Sequence, residues 1–475
     1  MLGGGTLHAA EVVAIARGGS PAALSPQGLA RATAGYEVAN RLVTRRGVYG
    51  RTTGVGANRT VQIDDVEAPD HGLNLLRSHA GGAGPLMDAP IVRAMLAVRA
   101  NQLAAGGAGV HPELITALVD LVNSGRLPTV YRFGAIGTAD LTALASTAMC
   151  MIGELPWRDG ELAPVFHLAP SDVLAFCSSN AATIGEAALA AADLSDLIAA
   201  TPVLAALSFL VVRGSAEPYA AEVQRARPHR GQAEVAAQMR ALLAGQDLKP
   251  ARIQDPYGYR ALPQAHGPAV DAVRDLRQVL AVEMNAAAEN PLVDSVSGQV
   301  FHNGNFYTAY LGLALDSARL ALFQTAALSA TRLGTLVEPR LTGLRPFLAS
   351  NVPASSGVLA LEYVAHSALA DIRRLASPAT LGTAVLSRGL EDLADFSTQA
   401  ARAATDSVAS YRIVLACELV AAIRGLRLRR LVPAAGPLRD AYELAAPALD
   451  TRIEDRPLDA DIDAAEGLLT TLAQL

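Results

Sequence analysis

The chain has 475 residues, of which 51% are hydrophobic and 18% charged, so it can form a large buried core and is not a disordered protein. The formal net charge is −6, and the 39 lysine and arginine residues form no basic stripe or arginine-rich tail. This charge pattern argues against a nucleic-acid partner and favours a small-molecule substrate.

The N-terminus, the cysteines and the hydropathy predict a cytoplasmic protein that does not contact a membrane. The first residues carry no charged segment ahead of an apolar run, so no secretory signal peptide is predicted. Residues 181–212 form the most apolar segment, but three acidic residues interrupt it, and it is interpreted as a buried helix. Cys150, Cys177 and Cys417 lie far apart without the spacing of a metal site, so they are interpreted as buried thiols and no metal is expected.

Helical spacing of apolar residues dominates the second half of the chain. A stripe over residues 270–284 repeats at three- and four-residue intervals, and Gly267-Pro268 before it is typical of a helix start. Three further segments with few charges predict long helices: 309–337, 358–375 and 408–428. Strand patterns are scarce, and the best short strand is Gln299-Val300-Phe301.

These patterns predict an all-α fold, with a smaller loop-rich N-terminal part over residues 1–195 and a long-helix bundle over residues 196–475. The boundary is approximate, and the two parts could form one continuous domain. A helix that is apolar on nearly every side needs a covering surface, which one chain cannot easily give to several such helices. We therefore expect a homo-oligomer with a helical core.

Two loops concentrate side chains that can bind or catalyse. Tyr49 stands among three glycines in YGRTTGVG, a segment that can move and present a phenol as a proton acceptor; the alternative is a flexible surface loop. The loop QDPYGYRALPQAHG carries Gln254, Tyr257 and Arg260, which could hold a substrate carboxylate; the alternative is a structural loop that ties helix ends together.

Three other residues allow both a structural and a functional interpretation. Phe306, in HNGNF, could place its ring beside a substrate or lie in an ordinary turn. His79, in SHA, could be a structural histidine or a site residue. Glu391, in a polar break between helical stretches, could be solvated or could be an active-site acid. The residue types alone leave these alternatives open.

Taken in chain order, these segments resemble the aromatic amino-acid ammonia-lyase and aminomutase family, which includes the histidine, phenylalanine and tyrosine ammonia-lyases. The resemblance extends from about Tyr49 to Leu428. It rests on nine segments: YGRTTGVG, LNLLRSHAGGAG, GAIGTADLTALA, RPHRGQ, QDPYGYRALPQAHG, NAAAENPL, HNGNF, TGLRPFL and the Leu390-Glu391-Asp392 segment. It implies a lyase of the shorter bacterial form, an all-α homotetramer whose active sites each combine loops of more than one subunit.

The resemblance also implies a role for each matching residue. Tyr49 matches the catalytic base of the mobile inner loop, Tyr257 the second tyrosine near the reacting centre, and Glu391 the acid of the site. The substrate-binding residues that it implies are His79, Arg260 as the carboxylate clamp, and Phe306, which faces the prosthetic group in the family; Gln254 and Leu390 are candidates beside them.

The turn GAIGTADLTALA departs from the family. Family members normally carry Ala-Ser-Gly there, which closes on itself to give the electrophile methylideneimidazolone. Aligning Asp140-Leu141 with the family's Asp-Leu places Gly137, Thr138 and Ala139 at the three positions. Threonine could lose water in place of serine, but the Cβ of Ala139 opposes the compressed backbone that ring closure needs. A second segment, Ala354-Ser355-Ser356-Gly357, is predicted to be helical and therefore unable to cyclise.

Neighbouring site positions have changed as well. Where the family has Leu-Ile-Asn-Gly-Thr, this chain has FCSSN, so that the family asparagine, which helps to hold substrate and prosthetic group, aligns with Ser178. Ser178 and Asn180 are therefore candidate substrate-binding residues. Leu390 and Leu393 replace polar residues that usually flank the family's Glu-Asp. Because the changes cluster around the electrophile while the tyrosines and Arg260 are kept, the sequence predicts altered chemistry rather than general decay.

The leading hypothesis is a family member of specialised metabolism without cofactor or methylideneimidazolone. With a tyrosine base it would catalyse elimination, conjugate addition or cyclisation on an activated small substrate that bears a carboxylate or an aromatic ring. One alternative is a true ammonia-lyase or aminomutase whose prosthetic group forms from Gly137-Thr138-Ala139. Another is a catalytically inactive protein that binds a ligand or assembles with a partner.

Overall fold

The computed structural model describes residues 1–63 and 68–475, and helices dominate it, which confirms the all-α prediction. The α-helices of the described residues are α1 (Ala9–Ala16), α2 (Pro26–Val43), α3 (Ala68–His79), α4 (Ala89–Leu103), α5 (Pro112–Ser124), α6 (Leu141–Met151), α7 (Val173–Cys177), α8 (Ala181–Val212), α9 (Ala221–Ala226), α10 (Arg230–Leu242), α11 (Tyr257–Arg260), α12 (Leu262–Glu283), α13 (Ala309–Val337), α14 (Pro339–Thr342), α15 (Ala360–Leu375), α16 (Ser397–Leu428), α17 (Pro437–Ala445) and α18 (Asp459–Leu472).

Among the described residues, two small two-stranded antiparallel sheets accompany the helices. Strands β1 (Ala83–Leu86) and β2 (Tyr131–Phe133) pair with an irregular register. Strands β3 (Leu292–Asp294) and β4 (Gln299–Phe301) pair in regular register. The strand predicted at residues 299–301 is therefore present.

Helices α8 and α13 span the residues that the apolar pattern predicted. Both are long and apolar enough to cross a membrane by length and composition alone, but 83% of the apolar window is buried within the protein in the first and 56% in the second. The core helix of a protein outside a membrane has the same composition. The three cysteines are buried and free, as predicted.

The predicted helix start at Pro268 is wrong. Helix α12 begins six residues earlier, at Leu262, and contains Pro268 in its interior. A proline there has no N–H to donate to the carbonyl of Gln264, so the helix tolerates one missing backbone hydrogen bond. Leu262 and His266, which precede this proline in the helix, are fully buried, and His266 is hydrogen-bonded on both ring nitrogens. The packing and hydrogen bonds of these residues outweigh the local preference of proline for a helix start.

The chain divides into two compact units. The first unit comprises Met1–Ala192, Leu276–Leu315 and Pro378–Arg402, and the second comprises Asp193–Asp275, Asp316–Ser377 and Ala403–Leu475. The first boundary lies close to the expected 195/196 division, but the first unit also takes two later segments. A division of the chain into two continuous parts could not include these segments, because each long helix α8, α12, α13 and α16 contributes residues to both units.

The core of the second unit holds a fully buried histidine. His266 has its Nδ1 2.6 Å from the Thr325 hydroxyl and its Nε2 2.9 Å from the carbonyl oxygen of Ile198. A carbonyl can only accept, so Nε2 carries the hydrogen and Nδ1 accepts from threonine. Burial is the main cause that lowers the pKa of this imidazole to about 4.

We expect His266 to make the protein less stable in acid. The unfolded chain binds a proton on this histidine below its ordinary pKa of about 6.5, whereas the folded chain does so only near 4. Stability should therefore fall as the pH drops through this window, by about 3 kcal/mol in total. Urea unfolding of wild type and His266→Gln between pH 7 and pH 4 measures it. The variant should lose this part of the pH dependence, whereas His366→Gln, which removes an exposed histidine, should keep it.

Candidate active site

A cavity of about 970 Å³ lies within the first unit. Its wall contains many of the residues that the sequence singled out: Tyr49, His79, Thr138, Ala139, Ser178, Phe306, Leu390 and Glu391. These residues come from segments that are far apart in the sequence. The fold therefore brings most of the predicted site together in one cavity.

Tyr49 is held by backbone at the start of a short 3-10 helix, Gly56–Asn58. Its hydroxyl oxygen accepts the N–H of Gly56 at 2.7 Å, and its own backbone N–H donates to Nε2 of His302 at 3.2 Å. Burial is the main cause that raises the pKa of Tyr49, and the negative charge of Glu391 raises it further. The hydrogen bond from Gly56 and the Arg59 cation lower it in part. The phenol is thus placed in the cavity with a donor already aimed at its oxygen.

A strained hairpin holds Glu391 at the same cavity. The backbone of Leu386 and that of Glu391 pair with each other, with an N–H to carbonyl distance of 2.7 Å in one direction. Between them, Ser387 and Arg388 have φ values of 50° and 56°, which cost of order 1–3 kcal/mol each in residues with a Cβ. The Ser387 hydroxyl oxygen accepts the N–H of Ala57 at 3.1 Å, so this hairpin is tied to the Tyr49 loop.

His79 is the last residue of α3 and presents one ring nitrogen for a ligand. Its Nδ1 lies 2.9 Å from the carbonyl oxygen of Leu75 and 3.0 Å from the hydroxyl of Ser78. Because the carbonyl accepts, Nδ1 carries the hydrogen in the neutral ring. The Nε2 atom is then an acceptor for a donor group of a bound molecule.

The turn at residues 134–139 forms part of the cavity wall. Gly137 and Ala139 have φ values of 91° and 86°, and such a conformation is unusual for alanine. The N–H of Ala139 donates to Oδ1 of Asn180 at 3.1 Å, and the amide nitrogen of Asn180 donates to the Phe306 carbonyl. Asn180 therefore connects the turn to the segment that carries the phenylalanine ring.

Asp140 links the turn to helix α8. It is the N-cap residue of α6, but its carboxylate accepts the backbone N–H of Thr183 at 2.8 Å and the hydroxyl of Thr183 at 2.9 Å, in the first turn of α8. Burial is the main cause that raises its pKa to about 6. One carboxylate thus fixes the starts of two helices relative to each other.

A second buried acid, Asp395, packs directly against the turn. Its Oδ1 accepts the N–H of Ser397 at 2.8 Å, and its Oδ2 accepts the hydroxyl of Thr308 at 3.3 Å. A Cβ placed on Gly137 would lie only 1.7 Å from this Oδ1. Burial raises the pKa of Asp395, and burial followed by the charge of Asp395 raises the pKa of Glu283 to about 7.

Gly56, Ser387 and Asp395 contact the site but were not predicted from the sequence. Gly56 lies within the motif quoted for Tyr49, and its glycine identity is the only signal that a close backbone approach leaves in the sequence. Asp395 follows Glu391 by four residues, and no pattern relates it to residue 137. Only the folded chain brings the two together.

The loop that carries Gln254, Tyr257 and Arg260 belongs to the second unit and contributes no side chain to this cavity. Its members nevertheless lie together. The Arg260 guanidinium stands 4.6 Å from the centre of the Tyr257 ring and donates to Oε1 of Gln254 at 3.0 Å. The Tyr257 side chain is 68% exposed, so the loop presents a phenol and a cation at the surface of its unit.

The prediction that Ala354-Ser355-Ser356-Gly357 is helical is wrong. The segment is a turn before α15, and Ala354 and Gly357 have positive φ values of 62° and 50°. Asp455 binds the Ser355 hydroxyl at 2.7 Å and the N–H of Gly357 at 2.9 Å, and these bonds replace helical ones. The segment belongs to the second unit and does not line the cavity.

Residues 7–446 match the model of the aromatic amino acid lyase family. The chain belongs to this family. A histidine ammonia-lyase of Anaeromyxobacter sp. (strain K) is 33% identical over 498 residues, which cover 99% of this chain and 98% of that protein. Another histidine ammonia-lyase, of Stigmatella aurantiaca, is 33% identical over 98% of this chain and 95% of its own length.

Solved structures of this lyase family share the fold over nearly the whole chain. The tyrosine aminomutase from Streptomyces globisporus superposes with a TM-score of 0.93 at 27% identity, covering 99% of this chain and 96% of that one. An ergothioneine-degrading enzyme, ergothionase from Treponema denticola, gives a TM-score of 0.91 at 25% identity over 100% and 99% of the two chains. The predicted family and the lyase class are therefore confirmed.

Proposed function

We propose that this lyase eliminates an amine from a small carboxylate-bearing aromatic substrate, with Tyr49 as the base and without a prosthetic group made from its own backbone. The observation that carries the proposal is the turn itself. Ala139, at the family's glycine position, keeps a φ of 86° although it has a Cβ, and its nitrogen, the atom that would have to attack the residue 137 carbonyl, is engaged by Asn180. The Gly137-Thr138-Ala139 turn therefore does not fit the backbone conformation that formation of methylideneimidazolone needs.

The cavity supports proton removal by Tyr49. As the ionised phenolate of Tyr49 takes the substrate's proton and becomes a neutral phenol, the substrate's C–H electrons form the new double bond and the C–N bond breaks, so that the amine leaves with its electron pair. Between turnovers Tyr49 must return to its ionised form, which the N–H of Gly56 and the Arg59 cation stabilise. A positioned base contributes roughly 10²–10⁴ in rate, so without an electrophile the substrate must supply a good leaving group or an acidified proton.

Other residues of the family's site suit binding. Nε2 of His79 is an acceptor in the cavity, and the Phe306 ring lines it. Tyr257, exposed on the second unit, and the half-buried Arg260 beside it would hold the substrate carboxylate in the cavity of another subunit if the chain forms a homotetramer like its family. The same base would also serve conjugate addition or cyclisation of an activated substrate.

The second candidate is an amino-acid ammonia-lyase that does form the ring from Gly137-Thr138-Ala139. It is favoured by the relatives named histidine ammonia-lyase, which are 33% identical over almost the whole chain. On this candidate Thr138 supplies the hydroxyl that leaves as water.

Intact-protein mass separates the two candidates. The proposal expects wild type at the full mass of its sequence, whereas the second candidate expects a protein lighter by two waters. Turnover is then measured with L-histidine and with ergothioneine, the molecules named for similar proteins. The proposal expects elimination from ergothioneine and not from L-histidine. The quaternary ammonium of ergothioneine has no N–H, so it stays a cationic leaving group beside a base, whereas the ammonium of L-histidine loses its proton to the base and becomes a poor leaving group. Release of ammonia from L-histidine would contradict the proposal, and binding of both molecules without turnover would indicate an inactive ligand-binding protein.

Gly56→Ala should reduce the fraction of Tyr49 that is ionised at a given pH. Gly56 has a φ of 55°, and a Cβ there would lie 2.6 Å from the Ser387 hydroxyl, so alanine must displace the N–H that Tyr49 accepts. Losing this donor removes an influence that lowers the pKa of Tyr49, so the rise of kcat/KM with pH should move to higher pH. The matched control is Gly47→Ala in the same cavity wall, where the added Cβ meets no atom closer than 4.0 Å. An unchanged pH profile in Gly56→Ala would contradict the role of this hydrogen bond.

A further inference from the structure

We infer that Asp395 keeps the turn from forming the family's prosthetic group, because its carboxylate fills the space of the first side chain of the Ala-Ser-Gly triad. The inference deepens the proposed function and rests on it. An ideal Cβ on Gly137 would lie 1.7 Å from Oδ1 and 2.8 Å from Cγ of Asp395. Side-chain carbons essentially never approach other heavy atoms within 3.0 Å. The observed position of the Asp395 side chain is therefore compatible with glycine at residue 137 and with no larger residue there.

Asp395 is fixed in this place by its own contacts. It is 4% exposed, and its two oxygens accept from Ser397 and Thr308, whose hydroxyls lie 2.7 Å apart. The next residue, Phe396, donates its N–H to the carbonyl oxygen of Ile136 at 3.0 Å, one residue before Gly137. This backbone hydrogen bond joins the residue after Asp395 to the residue before Gly137, so it holds the carboxylate beside the turn. An alanine at residue 137 therefore requires that the aspartate side chain leave its hydrogen bonds or be removed.

The negative charge of Asp395 opposes ring closure as well as its volume does. Ring closure forms a bond from the nitrogen of residue 139 to the carbonyl carbon of residue 137, and negative charge develops on that carbonyl oxygen before it leaves as water. A carboxylate against the Cα of the same residue raises the energy of this state, most strongly where water is excluded. Asp140 and Glu283 lie close enough to interact with Asp395 electrostatically and add to the acidic surroundings.

Rebuilding the triad with and without the carboxylate tests the inference. The first variant is Gly137→Ala/Thr138→Ser/Ala139→Gly, and the second adds Asp395→Ala. In ring closure the carbonyl oxygen of residue 137 leaves as water with the hydrogens of the backbone nitrogens of residues 138 and 139. The serine hydroxyl then leaves as a second water with the serine Cα hydrogen, so a closed ring is lighter by two waters. We expect the first variant at full mass and the second two waters short. Equal loss in both variants, or a folded second variant at full mass, would overturn the inference.

Thermal unfolding gives a readout that does not need ring closure. Gly137→Ala should lower the midpoint of unfolding more than Gly160→Ala does, because Gly160 has nearly the same φ, 87° against 91°, but open space around its Cβ position. Adding Asp395→Ala to Gly137→Ala should recover part of the loss. Equal midpoints for the two glycine variants would contradict the close contact. The mass of wild type judges the proposed function separately, since it involves no substitution.

Discussion

Tyr49→Phe should reduce turnover by roughly 10²–10⁴-fold and leave KM nearly unchanged. The phenylalanine ring keeps the shape of the cavity wall but has no oxygen to take a proton. The N–H of Gly56, which Tyr49 accepts at 2.7 Å, faces the cavity in the variant and can bind water, so the fold should be preserved. The measurement is steady-state kinetics with whichever of L-histidine and ergothioneine wild type converts.

The matched control is Tyr36→Phe. The Tyr36 ring packs edge-on against His111 with centroids 4.9 Å apart and does not line the cavity, so its variant should keep wild-type turnover. If Tyr49→Phe kept full turnover as well, a tyrosine base would be refuted whatever the state of the turn. If it lost only affinity, Tyr49 would be a binding residue.

Arg332→Met should destabilise the second unit by about 3–5 kcal/mol, because it leaves a carboxylate buried without its cation. Glu418 and Arg332 are both fully buried, and the guanidinium donates to the two carboxylate oxygens at 2.6 and 2.7 Å. Two serines also donate to this carboxylate, Ser208 at 3.1 Å and Ser329 at 2.5 Å. Urea unfolding at neutral pH measures the loss.

Two further variants show whether the cost comes from the unpaired charge. Arg332→Met/Glu418→Leu removes both ions and should recover most of the stability lost in the single variant. Arg225→Met breaks an ion pair with Glu222 whose side chains are 69% and 75% exposed, and it should change the stability far less than Arg332→Met does, because solvent screens an exposed pair. A single variant Arg332→Met as stable as Arg225→Met would show that the buried pair contributes little.

The sequence predicted the elements whose signal is local. The apolar segments at residues 181–212 and 309–337 form helices with those bounds, because apolar runs of this length are typical of helices and too long for strands. Pro268 failed as a helix start because the packing of the preceding residues outweighs the preference of proline. The turn at Ala354–Gly357 was mistaken for a helix because a distant carboxylate, Asp455, supplies its hydrogen bonds.

The candidate site was predictable where a motif carries it and not where distant residues meet. Tyr49, His79, Phe306 and Glu391 were found from the resemblance, and they line one cavity. The contacts of Ser387 with the Tyr49 loop and of Asp395 with Gly137 join residues more than 250 positions apart, and neither leaves a spacing in the sequence. Gln254, Tyr257 and Arg260 lie together, but on the second unit.

The carboxylate of Asp140 gives the cavity two sides of different stiffness. On one side, Thr138 and Ala139 stand on a turn whose next residue is bound to the first turn of a 32-residue helix through buried hydrogen bonds. On the other side, Tyr49 stands on a glycine-rich loop bound through the backbone N–H groups of Gly56 and Ala57. The wall on the Thr138 side is therefore fixed when a molecule binds. The loop that carries Tyr49 is the side of the cavity that moves to fit molecules of different size.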